Sequence, residues 1–286
     1  MSAEDELMPD EEEAEMEKAL KLDLRTPKKK PIREITLDLW KTRLHRDRMG
    51  IKKQEEFMSK SRQWNRDLTQ IGDLKEKGQD IGKIAIRDGF WNDVKEEKNR
   101  RLVLKLFSDA ISWLGTCEEM VSEELEVEYA RTKTMIKHAV KPIFRVVSAK
   151  YPYVTPLSSV RKRIFSFHKV DDEDKVVELF TLRETRWSRG DDWHVYSSRG
   201  DVKVADVDGK LFDIGGEYTV RIYEEELAKD RMFMNVLIFF AASRRYQDDI
   251  RKKISTIRKD ILKGRFTPRM TKAELNLATN PRRVRR

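Results

Sequence analysis

Six side chains between residues 178 and 206 are of the types that hold a divalent metal for phosphodiester hydrolysis: Glu178, Glu184, Asp191, Asp192, His194 and Asp206. Carboxylates bind magnesium through oxygen while a nearby base prepares water for attack. Their spacing follows no nuclease pattern, so a metal-dependent nucleic-acid enzyme stands as an alternative reading and no metal ligand is assigned. Asp206-Val207-Asp208-Gly209 looks like half of a calcium loop. Aligning its glycine, however, puts Val204 at the first ligand position and Gly215 where a bidentate glutamate belongs. The four histidines lie in four different segments, which gives no support to a Ser-His-Asp or Cys-His arrangement. The single cysteine, Cys117, excludes an internal disulfide framework and a CxxC metal knuckle, and its apolar neighbours mark it as a core residue. Gly82-Lys83-Ile84 lacks the hydroxyl and the upstream glycine spacing of a phosphate loop. A non-enzymatic role without cofactor is the default.

Basic residues interleaved with aromatics are the stronger signal. Net charge is +9, and residues 1–20 carry nine acidic side chains against Lys18 alone. That segment is therefore at −8, which leaves +17 on the rest and makes a polyanionic partner the expectation. Arg161, Lys162 and Arg163 open one strand, and Arg183, Arg186, Trp187, Arg189, Trp193 and Tyr196 follow in the same region. Exposed aromatics beside cations are what single-stranded nucleic acid uses, unless Trp193 and Tyr196 pack inside. Further on, Ile250, Ile254, Ile257 and Ile261 share one helix face while Arg245, Lys252, Lys259 and Lys263 lie opposite. Beyond Gly264, a basic stretch ends in Arg282, Arg283, Arg285 and Arg286, with Glu274 as its only acid. Such a tail binds phosphates without sequence preference, or an acidic protein surface. The Arg-Gly-Asp triplets at 189–191 and 199–201 read as turns.

These residues must be positioned by elements, which the patterning divides as follows. Residues 1–31 form an acidic then basic disordered tail, able to compete with nucleic acid for the chain's own basic surface. Residues 32–92 read as a helical arm, with Thr36 capping a segment through Leu44 and a second helical piece after Gly50, followed by a glycine-punctuated connector. Residues 93–150 read as one long helix that Pro142 ends or kinks. Over 157–223 the period changes to two. Arg163–Val170, Lys175–Leu182, Trp193–Ser197, Val202–Val204, Leu211–Ile214 and Tyr218–Ile222 predict a small antiparallel module. Residues 224–264 read as a long core helix, apolar all round from Met232 to Ala242 and therefore buried on every side, and 265–286 form the basic tail.

The expected fold class is α+β: long helices forming an extended helical core, an inserted small antiparallel β-sheet or barrel, and charged disordered tails at both ends. The expected function is a non-enzymatic structural or adaptor subunit of a larger assembly, a virion or nucleoprotein particle being the type considered. It contacts nucleic acid or an acidic partner through its basic C-terminal half, with other subunits in a homo- or hetero-oligomer. The run 232–242 is shorter than the ~18 residues a bilayer crossing needs. A peripheral membrane-surface protein inserting Phe239 and Phe240 is the second alternative. The acidic opening residues do not form a signal peptide, so a cytoplasmic or virion-internal location is expected.

Overall fold

From residue 33 the chain alternates with a period of two. In Arg33–Leu39 (β1), Ile35, Leu37 and Leu39 are buried while Glu34, Thr36 and Asp38 face outward. The computed structural model describes residues 30–40, 50–134, 140–171, 175–185, 191–210 and 216–279. Among these, eleven further strands follow: β2 (Leu68–Glu76), β3 (Gln79–Arg87), β4 (Val103–Ser108), β5 (Trp113–Glu119), β6 (Ile143–Ser148), β7 (Val154–Arg161), β8 (Ile164–Val170), β9 (Val177–Glu184), β10 (Trp193–Ser197), β11 (Val202–Gly209) and β12 (Glu217–Ile222). Each pairs antiparallel with the next, and β12 returns to β1 with Arg33 opposite Ile222 and Asp38 opposite Glu217, closing a twelve-stranded barrel. The hairpins are local. At the β2–β3 turn, Lys77 and Gly78 both take positive φ (52° and 80°), the combination a two-residue turn with the hand of the strand twist requires.

The helix α4 (Arg231–Arg244) fills the barrel; it follows α1 (Ile51–Lys60), α2 (Val121–Lys133) and α3 (Glu225–Lys229). About eight strands suffice for wall side chains to fill a barrel, so twelve leave a space that another element must occupy. Every residue from Met232 to Ser243 is buried. The helix lies against β1, β5, β6, β11 and β12. Its phenylalanines meet rings on the remaining side: Phe233 packs on Phe167 and Phe180, and Phe240 on Phe165 and Trp193, with ring centres 4.9–5.8 Å apart. Gly115 of β5 permits the approach, because a Cβ there would sit 3.2 Å from the Phe239 ring and 2.9 Å from the Val147 carbonyl oxygen.

Both helix ends are held by charge of the sign that suits the helix dipole. Asp230 caps the start by accepting hydrogen bonds from the Met232 and Phe233 amides at 2.8 and 3.1 Å, and pairs with Lys169 of β8. At the other end Arg244 donates to Asp191 at 2.8 Å and lies over the Trp193 ring at 4.7 Å. Asp191 also accepts from Trp193 at 2.8 Å and Tyr218 at 3.1 Å. Burial opposes its charge, yet these donors hold its carboxyl below the usual range. Past Arg244 the chain turns into α5 (Gln247–Leu262), whose Ile250, Ile254 and Ile257 extend the same core, and then α6 (Lys272–Thr279).

The closed barrel overturns the expected α+β fold with long helices as an extended core, and with it most of the helix assigned to the first half, although the helical piece expected after Gly50 is present as α1. The predicted Thr36-capped helix is β1 as far as Leu39, with 41–44 outside the described residues, the glycine connector is β2 and β3, and the predicted helix from residue 93 holds β4, β5 and the thirteen residues of α2. The physical reason lies outside the barrel wall. Phe57 of α1 and Trp64 cover Ala85 and Phe107 on the outer face of β3 and β4, and Leu277 of α6 covers Ile143 and Val147 of β6. Strands buried on both faces lose the period-two signature, and a run such as Val103–Phe107 is then ambiguous between strand and helix. The predicted helix 224–264 is present as α3, α4 and α5, interrupted at Asp230 and at Arg245 and Tyr246. Cys117 is a core residue, but on β5. The strand predicted at Leu211–Ile214 and the tail 1–29 lie outside the described residues.

Truncating a ring at the helix–wall contact gives a direct check. Phe240→Ala should lower the unfolding free energy by about 3–5 kcal/mol, measured by urea denaturation. Leu262→Ala, at an exposed position, should change it by less than ~0.5 kcal/mol.

Candidate anion-binding face

α5 divides its cations between two environments. Its isoleucine stripe faces the core, and Lys252 and Lys259, with Lys263 just past its end, stand exposed on the opposite side. Eleven residues at ~1.5 Å rise spread these three lysines over about 16 Å. None of the three has an ion-pair partner among the described residues, whereas Asp248 is taken by Arg251 at 3.1 Å and Asp260 by Arg265 at 2.9 Å.

The turn between β7 and β8 brings a second set of cations to the same helix. Arg161, Lys162 and Arg163 are all exposed, and Arg251 of α5 donates to the Lys162 carbonyl oxygen at 3.4 Å. Arg163 pairs with Glu184 at 3.5 Å, Arg161 has interactions of its own, and Lys162 has no ion-pair partner among the described residues. Arg245 is exposed and donates to the Trp40 carbonyl oxygen, tying the start of α5 to the end of β1. The structure thus gathers the 161–163 turn beside the N-terminal half of α5 and leaves Lys259 and Lys263 further along it. Arg282, Arg283, Arg285 and Arg286 lie outside the described residues.

The aromatic half of the nucleic-acid pattern is rearranged. Trp193 is fully buried against Phe165 and Phe240, so it is core and not a stacking platform. Tyr196 is half-buried with the Arg183 guanidinium over its ring at 4.7 Å. Arg186, Trp187 and Arg189 lie outside the described residues.

The side chains considered for metal chemistry are engaged with other partners; within the set, His194 Nε2 stands 3.7 Å from Asp206. Glu178 accepts from Ser197 at 2.7 Å, Glu184 pairs with Arg163, Asp191 with Arg244, and Asp206 with Lys203 at 3.2 Å and with the Tyr223 hydroxyl. No group of three or more His, Cys, Asp or Glu side chains among the described residues is placed to hold a metal. Phe239 and Phe240, which the membrane-surface reading inserts into lipid, are enclosed by the barrel. No helix among the described residues is long and apolar enough to cross a membrane. At the second Arg-Gly-Asp triplet, Gly200 and Asp201 take positive φ, consistent with turn chemistry.

A buried charge network that no motif in the sequence announces lies between α2, α5 and the end of β5. Lys253, next to exposed Lys252, turns inward to pair with Glu119, donates to the Arg100 carbonyl oxygen at 3.0 Å and lies over the Trp91 ring. Glu119 also accepts from the Leu102 amide at 2.7 Å. Arg101, buried, pairs with Glu118 at 2.6 Å, and Glu128 of α2 meets Arg258 of α5 at 3.6 Å. Removing one partner from a buried pair costs ~3–5 kcal/mol, so these contacts dictate how α5 seats on the barrel. The signal available in sequence was positional: Lys253 stands directly before Ile254, within the stripe.

Glu124 completes the network. Its Oε1 accepts from the Ile143 amide at 2.8 Å, while its buried Oε2 has no donor among the described residues. Burial pushes its carboxyl well above the usual range, with neighbouring Glu119 adding to the shift and Lys253 opposing it. A proton on Glu124 lets it donate toward Glu119 where two acceptors would otherwise conflict.

No family model matches the chain, and neither a curated protein nor a solved structure is significantly similar to it.

Glu124 binds its proton more tightly folded than unfolded, so its contribution to stability declines as pH rises from the ordinary value of 4.5 through the folded value. Glu124→Gln keeps the acceptor for Ile143 and removes the titration. Urea unfolding across pH should show the variant gaining on the parent as pH rises above that ordinary value, and a constant difference would contradict the assignment.

Proposed function

We propose that the protein is a non-enzymatic adaptor that holds a polyanionic partner against the outer face of α5. The observation that carries the reading is the contrast within one helix. Lys252, Lys259 and Lys263 stay exposed without ion-pair partners among the described residues, while Lys253 beside them is committed to Glu119 inside. Lys162 on the adjoining turn adds an exposed cation beside the same helix. Lysines left to solvent in a row track a phosphate backbone without reading its sequence. The helical arm expected over 32–92 is largely barrel strand, so the adaptor reading rests on the charge pattern.

The test is binding of single- and double-stranded DNA and RNA across a salt series, on the full chain and on a form lacking Met1–Lys30. Affinity should fall steeply with salt and strengthen when the acidic segment is removed. Replacing Lys252, Lys259 and Lys263 together by Ser should reduce the duplex log–log slope by roughly 0.9 per lysine in contact. Absence of nucleic-acid binding in both forms, with retained affinity for polyglutamate, would transfer the face to an acidic protein partner. Absence of both would refute the proposal.

A further inference from the structure

A cavity of about 430 Å³ lies on a different side of α5, between the first turns of α2, Ile257 of α5 and the segment 265–271. Its lining joins two chemistries. Leu125 and Ile257 are buried and Phe266 half-buried, giving an apolar wall. Lys98, Arg100, Arg101, Arg265 and Arg269 supply five cations, and no carboxylate is among the lining residues.

Most of these cations are already engaged. Lys98 pairs with Glu96 at 3.4 Å, Arg100 approaches Glu97 at 4.0 Å, and Arg265 pairs with Asp260. Arg101 is 1% exposed; its Nε donates to the Glu119 carbonyl oxygen at 2.8 Å and its Nη2 to Glu118. Among the described residues its Nη1 has no hydrogen-bond partner, and neither has Arg100 Nε. Buried donors without partners are rare because each forfeits its hydration without replacement. Arg269 is exposed and has no ion-pair partner among the described residues.

We infer that this cavity binds a small amphipathic organic anion, a carboxylate or phosphate ester carrying an apolar body. Arg101 and Arg269 take the acidic group, which a guanidinium fork matches, and Leu125, Ile257 and Phe266 take the body. The volume lies within the range of small-molecule sites. Lys252, Lys259 and Lys263 do not line the cavity, so the inference stands apart from the proposed polyanion face.

The test is calorimetric titration of the full chain with octanoate, octyl phosphate, octan-1-ol and inorganic phosphate. One or both amphipathic anions should bind with one-to-one stoichiometry. Octanol and inorganic phosphate, each lacking half of the recognised structure, should bind at least tenfold more weakly. Whichever of octanoate and octyl phosphate binds tighter assigns the acidic group, and either result supports the site. Arg269→Glu and Phe266→Ala, at exposed and half-buried positions, should each weaken the anion at least threefold. The Lys252, Lys259 and Lys263 triple Ser variant should bind it unchanged. Failure of both anions to bind the folded protein, or binding undiminished in both single variants, would overturn the inference.

Discussion

A twelve-stranded antiparallel wall cannot fill its own interior with side chains, and that constraint organises this protein. The space is taken by α4, whose twelve consecutive buried residues present apolar surface in every direction. A helix in that position has no solvent to satisfy its polar atoms, so its side-chain donors turn to carbonyl oxygens, while Asn235 Oδ1 has no hydrogen-bond partner among the described residues. Asn235 donates to the Leu114 carbonyl oxygen at 3.0 Å, and Ser243 to that of Phe240 at 2.8 Å. The charged groups sit only at the ends, where Asp230 reaches Lys169 on the wall and Arg244 reaches Asp191 just before β10. The wall and the helix are thus mutually dependent: neither buries its apolar face without the other.

The consequences extend outward. Because α4 ends at Arg244, α5 must leave the core there, and it does so amphipathically, with isoleucines inward and lysines outward. The buried pair Lys253–Glu119 and the half-buried pair Arg258–Glu128 fix which face is which. Buried ion pairs contribute little net stability, but mispairing them is costly, and their role here is to set the rotation of α5 and hence the direction of the basic row. The same network holds Arg101 beside the cavity. Position of the candidate sites therefore follows from core packing through a chain of contacts, each with a named charge.

Where one face of a strand meets water, its alternation was legible. Ile164–Val170, Trp193–Ser197 and Glu217–Ile222 lie within a residue or two of their predicted bounds. Period-two character at Ile35, Leu37 and Leu39 was equally present, but Thr36 as a helix cap outweighed it. β3 and β4 offered no such signal, since α1 covers their outer face and Lys83, Ala85 and Lys105 are buried along with the inward residues. The all-round apolarity of Met232–Ala242 correctly implied burial on every side, although nothing in it indicated that the enclosing element would be a barrel. Of the site, the exposed lysines were readable from helical periodicity. The cavity was not, because Arg101, Leu125, Ile257 and Phe266 come together only through tertiary packing.

The enclosure of α4 is the claim on which the rest depends, and amide hydrogen exchange measured residue by residue tests it most directly. Amides of Val236–Ala241 should exchange only through global unfolding, with the same free energy as the β1–β12 closure at Ile35 and Val220. Exchange of the helix at a lower free energy, while β1 and β12 stay protected, would show a helix that leaves an intact barrel and would contradict the account.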